Sequence, residues 1–375
     1  MRIAINTRFL FKNKLEGIGW FTYEIAKRLV EQHPEHEFIF FFDRTYDPSF
    51  IFGSNVTPVV LFPPARHPIL WWWWFEIAIP KALKKQGAEV FLSFDGYCSL
   101  RAKTPTVLVL HDLAYLHMPV HIPKNTLRYY TRYIPRFLQR AERVITVSNF
   151  SKKDIIQQFQ LPAEKIAVAY NGCKTEFLPL PEEEKKAVQM QYAQGKTYFL
   201  YVGAIHPRKN VHRLIQAFDQ FKIQKNSSVK LLIGGRFAWQ TGEVKNAYDQ
   251  AVFKKDIHFL GYVPDEELPQ LMGAALALVY VSLFEGFGVP LLEAMHCEVP
   301  ILTSNISSLP EVAGKAGLLV NPYDVNAIAE GLQTLYENPV LRQQLIEKGK
   351  HQREPFNWQQ STEVIWQNIE LAMKC

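Results

Sequence analysis

Residues 274–295 read AALALVYVSLFEGFGVPLLEAM. The first nine, 274–282, have the length and composition of a buried parallel strand. Pro290 suits the first turn of a helix, so the stretch is expected to run strand, loop, helix. Glu285 then closes the loop and Glu293 opens the helix. Gly286 and Gly288 remove two side chains at the strand's carboxyl edge, where N–H groups at the positive end of a helix can approach an anion closely. The blander reading of the same residues is a surface helix with an acidic first turn.

Working outward, short β-like runs alternate with amphipathic helical patterns along the whole chain, the mark of parallel α/β sheets. Strands are expected at 2–6, 37–42, 56–61, 89–93, 106–110 and 143–147, and again at 198–202, 230–233, 257–259, 277–280, 300–302 and 317–320. Between these sets, FLPLPEEE at 177–184 turns to proline and charge, which places a linker there. With 375 residues, two cores are expected. The fold class is therefore α/β, with Rossmann-like domains at 1–176 and 177–357 and a helical tail at 358–375. Such domains bind ligands at the carboxyl ends of their strands, in a cleft where two of them face.

Composition narrows the function classes. Cys98, Cys173, Cys297 and Cys375 show neither a C-x-x-C pair nor regular spacing, which supports no zinc site and no disulfide framework; a reducing cytosol is expected. The chain goes from Met1 straight into a strand pattern, leaving no signal peptide in the sequence given. The apolar stretches 68–80 and 271–284 fall short of a membrane span. Residues 1–180 hold 23 Lys and Arg against 15 Asp and Glu, whereas the remainder holds 19 against 21. The basic first half suits a phosphate-bearing acceptor or an anionic membrane face. No recognition motif supports nucleic acid.

Several further elements sit at expected strand ends. In GAIHPRKN, 203–210, the fork of Arg208 and the point charge of Lys209 can hold a diphosphate. EGIGWF, 16–21, lies between a strand and a helix and lacks the third glycine of a dinucleotide fingerprint. His111 and Asp112 follow the strand at 106–110; a neutral imidazole there can hydrogen-bond a hydroxyl. His111, His117 and His121 could also suggest a metal, but Pro119 and Pro123 break helical spacing. Ser148 or Ser151 suits a helix cap. WWWWF at 71–75 on a helix points four ways, so at least one Trp faces the core while another reaches solvent or lipid, beside Arg66, His67, Lys81, Lys84 and Lys85. Arg128, Arg132, Arg136 and Arg140 recur every fourth position as a cationic stripe, either a solvated face or a seat for anionic headgroups.

The string SLFEGFGVPLLEAM resembles the E-x7-E signature of retaining glycosyltransferases of the GT-B fold, family 4 (group 1) in particular. The resemblance implies that Glu293 holds the ribose hydroxyls of a nucleoside diphosphate sugar and that Glu285 touches the donor sugar. It also implies that Phe287, Gly288 and Val289 line the donor. The element Gly203, Arg208, Lys209, Asn210 matches the family's G-x4-R-K-N, with Ala204 where many relatives carry arginine, so Lys209 takes most of the phosphate role. Gly17 and Gly19 resemble the family's first glycine loop, His111 the histidine facing the donor sugar, Tyr170-Asn171-Gly172 the element before the linker, and Val263 within GYVP the loop that reads the base by its backbone. The C-terminal helix is implied to complete the first domain. The activity implied is hexose transfer, mannosyl-type as first expectation, from a GDP- or UDP-linked donor to a hydroxyl of a glycan or lipid-linked acceptor. No D-x-D occurs, so no metal or other cofactor is expected. Arg128, Arg132 and Trp72 are the candidates for acceptor or membrane contact, and the expected location is cytoplasmic, on the inner face of a membrane. A nucleotide-sugar epimerase on the same fold and an inactive glycan-binding protein are the alternatives; an epimerase converts donor alone where a transferase at most hydrolyses it slowly, and failure to bind any nucleotide would favour the inactive protein.

Overall fold

The computed structural model describes residues 1–12, 15–65, 67–238 and 242–374. Arg66 and Cys375 lie outside them. Two compact units divide the chain: Met1–Asn171 with Asn357 onward, and Gly172–Phe356.

Among the described residues, the first unit holds a seven-stranded sheet of β1 (Arg2–Asn6), β2 (Glu37–Phe42), β3 (Val56–Val60), β4 (Val90–Ser93), β5 (Thr106–Val109), β6 (Arg143–Thr146) and β7 (Ile166–Val168). Their order is β3-β2-β1-β4-β5-β6-β7, parallel throughout. The apolar runs explain it: β2 (EFIFFF) buries every residue after the first, as a strand covered on both faces must. Strand β7 has only three residues, IAV, too short a run to stand out in the sequence.

The second unit repeats the plan with β8 (Tyr198–Val202), β9 (Lys230–Gly234), β10 (Ile257–Gly261), β11 (Ala277–Tyr280), β12 (Ile301–Ser304) and β13 (Gly317–Val320). These run parallel in the order β10-β9-β8-β11-β12-β13. In each sheet the winding reverses once, between β1 and β4 and between β8 and β11. That reversal is where an open α/β sheet splays its connections and takes ligands.

The proline-rich stretch does not separate the units. Phe177 is buried, and Leu180 sits so close to Gly273 that an added Cβ there would meet its Cγ at 2.7 Å. Residues 177–184 are thus strapped to the second unit, and the chain passes between units a few residues earlier, at Asn171. Composition reveals the prolines but not the apolar anchors that pin them.

The C-terminal helix Trp358–Met373 packs on the first unit. Asn357 caps it, Trp358 meets Phe21 edge-on, Arg143 Nε donates to Asn368 Oδ1 at 2.7 Å, and Trp366 stacks on His33 at 3.5 Å. The tryptophan run lies on a helix that starts at Pro68, widens to a π-helical turn at Trp74–Ala78 and ends at Gln86. Trp74 and Phe75 are fully buried, Trp71 and Trp72 half-buried, and Trp73 is 50% exposed. No described helix is long and apolar enough to cross a membrane.

Candidate functional site

In the second unit the two strands flanking the reversal are β8 and β11, and both continue into residues singled out from sequence. Beyond β8, Pro207–Lys209 form a 3-10 turn. Beyond β11 come residues 281–288. The two segments are bolted together by backbone and side chain: Leu283 N–H donates to the Arg208 carbonyl at 2.8 Å, and Arg208 Nη1 donates to the Phe284 carbonyl at 2.5 Å. Asn210, fully buried with φ of 61°, donates Nδ2 to the carbonyls of Val281 (2.9 Å) and Pro322 (2.8 Å). Asparagine tolerates that left-handed conformation better than other side chains.

Glu285 is the centre of the knot. Its Oε1 accepts from Lys209 Nζ at 2.6 Å and from the Tyr280 hydroxyl at 3.0 Å, while Oε2 accepts from Arg208 Nη1 at 2.8 Å. Lys209 Nζ also donates to the Tyr280 oxygen at 2.5 Å. Burial alone would raise the Glu285 carboxyl; the Arg208 and Lys209 charges outweigh it and hold the group at about 2. Two cations against one carboxylate leave a net positive charge at the strand edge, suited to an anion. Both cations share the carboxylate, so the structure does not single out Lys209 over Arg208.

The loop that follows is held from below. Ser308 Oγ donates to the carbonyls of Glu285 (2.9 Å) and Phe287 (3.0 Å), and Glu285 N–H donates to Ser307 Oγ at 3.2 Å. Phe287 turns its side chain inward against Phe356, with ring centroids 5.4 Å apart, so a ligand here would meet its backbone. Gly288 has φ of 101°, and a Cβ on it would lie 2.7 Å from Leu309, so only glycine serves. The helix Val289–His296 starts immediately after, with Val289 first and Pro290 in its first turn.

Glu293 does not open that helix but lies in its middle, on the buried face; the first turn holds no acid, which removes the surface-helix reading. Its carboxyl sits among Lys174 and Asp265. Burial dominates and pushes it up to about 7, Lys174 pulling it down and Asp265 adding to the rise. A buried carboxyl held this far from its ordinary value near an anion-ready edge makes the edge a candidate functional site.

The third side of this edge is backbone. Gly235 N–H donates to the Gly261 carbonyl at 2.6 Å, and a Cβ on Gly235 would fall 1.9 Å from the Gly203 carbonyl oxygen. Glycine is obligatory at 235 because the chain leaving β9 touches the chain leaving β8. Val263 packs 3.0 Å from the Cβ position of Gly234, and Tyr262 beside it is exposed.

The first unit has its own cluster at the corresponding edge. His111 follows β5, half-buried, its Nε2 2.9 Å from the Phe94 carbonyl and its ring edge-on to Phe21 at 5.1 Å. Burial lowers its pKa, so the ring is neutral near pH 7. A carbonyl only accepts, so Nε2 carries the proton and Nδ1 offers a lone pair. His117 pairs separately with Asp154 at 2.7 Å. Ser148 is the helix cap, accepting from Ser151 N–H at 3.0 Å. Asn149 Nδ2 reaches the Tyr170 hydroxyl at 2.6 Å, and Asn171 is buried. Gly17 and Gly19 lie inside the first turn of the helix Gly17–Gln32 rather than in a loop before it. Gly19 is needed for packing, since a Cβ would approach the Phe9 carbonyl to 2.9 Å, whereas Gly17 has open space. Arg128 and Arg132 are exposed, and Trp72 is half-buried under the Arg101 guanidinium at 5.2 Å.

Sequence reading missed Tyr280, Ser307 and Ser308 in the second unit and a buried network in the first. There Arg8 pairs with Asp95 beneath the rings of Tyr97 (4.7 Å) and Phe75 (5.3 Å), and Asn6 Nδ2 donates to Asp95 Oδ2 at 2.8 Å. Position just past a strand end was the available signal for Arg8 and Asp95; Tyr280 reads only as a strand residue.

Comparison with known proteins identifies the family and the fold. Residues 182–352 match the family profile "Glycosyl transferases group 1" and residues 15–177 match "Glycosyltransferase Family 4". The chain is 35% identical over 364 residues to O-antigen chain mannosyltransferase B of Escherichia coli, covering 94% of this chain and 95% of that protein. O-antigen chain mannosyltransferase RfbU of Salmonella typhimurium is 31% identical over 243 residues, 64% of this chain and 62% of that protein. Among solved structures, HepE of Anabaena in complex with UDP-glucose has a TM-score of 0.76 at 20% identity over 99% of each chain. WaaG, a glycosyltransferase involved in lipopolysaccharide biosynthesis, has a TM-score of 0.76 at 17% identity over 98% of this chain and 99% of its own. The structural likeness speaks for the GT-B fold, and the two profiles with the full-length relative speak for the family. This chain belongs to the group 1, family 4 type glycosyltransferases.

Proposed function

We propose that this glycosyltransferase moves a mannosyl residue from a nucleoside diphosphate mannose to a hydroxyl of a growing polysaccharide or lipid-linked glycan, with retention of anomeric configuration. The observation that carries the reading is the Arg208–Glu285–Lys209 knot at the β8/β11 reversal with Glu293 buried beside it. The sugar and acceptor class rest on the full-length likeness to an O-antigen chain mannosyltransferase.

In this reading the donor diphosphate lies against Arg208, Lys209 and the first N–H groups of the helix Val289–His296. Charge that develops on the leaving phosphate is met by groups already fixed in place, which need no reorganisation. Glu293, once ionised, accepts both ribose hydroxyls. Glu285 steadies the two cations and keeps lone pairs for the sugar's hydroxyls. In the first unit, His111, neutral, offers its Nδ1 lone pair to a substrate hydroxyl. The leaving phosphate takes the acceptor's proton on the face it departs from, which gives retention. The charge stabilisation comes from Arg208, Lys209 and the helix end, so the proposal assigns no metal.

The test is to incubate the protein with GDP-mannose and with UDP-hexoses in the presence of a mannose-terminated oligosaccharide and to follow the anomeric protons by NMR. Transfer from the mannose donor with an α-linked product supports the reading. Transfer only from another donor, an inverted linkage, or conversion of the donor without acceptor overturns it.

A further inference from the structure

The turn that joins the helix Gly17–Gln32 to β2 reads HPEH, 33–36. It lies at the amino end of a parallel strand, the edge of the first sheet opposite to the one where His111 follows β5. Two imidazoles and a carboxylate meet there: Glu35 Oε1 stands 3.3 Å from His36 Nε2 and 3.7 Å from His33 Nδ1. One donor atom from each of the three residues falls within 4.8 Å of the others. Among the described residues no other group of His, Cys, Asp or Glu side chains converges in this way.

The backbone beneath the cluster is fixed. His33 N–H closes the helix by donating to the Leu29 carbonyl at 3.1 Å, and His36 N–H donates to the His33 carbonyl at 3.1 Å. Asn55, just before β3, fastens the turn from the side, its Nδ2 donating to the His36 carbonyl at 3.1 Å and reaching the carbonyls of His33 and Val30 at 3.4 Å. Trp366, from the C-terminal helix, lies nearly parallel to both imidazoles, with centroids 3.5 Å from His33 and 5.2 Å from His36. Stacking accounts for the ring planes but not for two rings that turn a nitrogen toward one carboxylate oxygen. Charge-assisted hydrogen bonds would be shorter, about 2.7–2.9 Å. In a tetrahedral site with bonds of about 2.0–2.1 Å, neighbouring ligand atoms stand roughly 3.3 Å apart, which is the spacing approached here. The Glu35 side chain is 60% exposed and can rotate to close the remaining gap. Burial lowers the His33 pKa, so its ring is neutral near pH 7 with a lone pair to give, and the charge of Glu370 also acts on it. His36 Nδ1 lies 3.2 Å from the Met1 nitrogen, whose neutral amine can accept the ring proton when Nε2 takes an ion.

We propose that His33, Glu35 and His36 form a binding site for a divalent transition-metal ion of the zinc class, with water completing the tetrahedron. Two imidazole nitrogens and one carboxylate suit such an ion, whereas magnesium and calcium prefer oxygen alone. The ion ties the end of the helix Gly17–Gln32 to the start of β2 beneath Trp366, so it stabilises the first unit and takes no part in sugar transfer. The inference stands independently of the donor assignment.

The experiment is isothermal titration of the purified, untagged full-length protein with zinc chloride and, in parallel, with magnesium chloride, followed by anomalous diffraction at the zinc edge. Zinc is expected between the three side chains, magnesium is not, and the thermal midpoint should rise with zinc concentration by mass action. His36→Gln and Glu35→Gln should each weaken zinc binding by about tenfold or more, the least that disturbing a metal's surroundings costs. Without metal, Glu35→Gln should unfold as the parent does because the side chain is exposed, which separates a lost ligand from a damaged fold. No zinc binding, unchanged zinc affinity in both variants, equal binding of magnesium, or an anomalous peak only at other residues would overturn the proposal.

Discussion

Glu293 allows a prediction that runs against the usual expectation for a binding-site mutation. Its carboxyl is raised from the ordinary 4.5 to about 7 by burial. Because the folded value lies above the unfolded one, the group's contribution to stability is fully present below pH 4.5 and is lost as pH rises through about 7. The difference corresponds to about 3 kcal/mol. Glu293→Gln keeps the shape and cannot ionise, so it escapes that loss. The variant and parent should unfold alike near pH 4.5, and at about pH 8 the ligand-free variant should be the more stable. For a unit of this size, about 3 kcal/mol appears as roughly 6–12 °C in the unfolding midpoint. The assay is differential scanning calorimetry of both proteins across that pH range without nucleotide. The same variant should lose nucleotide affinity, the trade of stability for function expected at a binding site. A midpoint difference that does not change with pH, or that favours the parent at pH 8, would refute the reasoning.

Three further outcomes follow from the same geometry. Lys209→Ala should keep its fold and lower kcat/KM by about 10²–10³, equivalent to about 3–4 kcal/mol of transition-state stabilisation; steady-state kinetics check it. Glu285, held at about 2, contributes stability that is present above pH 4.5 and lost as pH falls through about 2. Glu285→Gln should therefore flatten the acid limb of the stability profile, read by circular dichroism during acid titration. Trp74→Ala should cost about 3–5 kcal/mol because the ring is fully buried, whereas Trp73→Ala should fall within about 0.5 kcal/mol of the parent; urea denaturation separates them.

The strand-loop-helix at 274–295 was legible because one short stretch contains all its cues: an apolar run, two glycines and a proline at the helix start. The remaining strands were legible for the same reason, apart from β7, where three residues leave no period to read. What stayed hidden is contact between distant residues. The sequence offers Arg208 and Lys209 as ligands for a phosphate, and nothing local says that both already share Glu285 or that Tyr280 completes the set. Arg8 and Asp95 are 87 positions apart and meet only because β1 and β4 pair across the reversal. The π-helical turn that sends Trp74 and Phe75 inward and leaves Trp73 outside depends on packing against Tyr97 and its neighbours, which no helical wheel contains.

The central claim is that the β8/β11 edge of the second unit holds the nucleoside diphosphate of a sugar donor. Isothermal titration of the protein at about pH 8 with GDP, UDP and ADP, in parallel with Glu293→Ala and Lys209→Ala, tests it most directly. Binding of one nucleotide by the parent, abolished by the first substitution and weakened by the second, is the predicted result. Binding that both variants retain in full, or no binding of any nucleoside diphosphate by the parent, would contradict it.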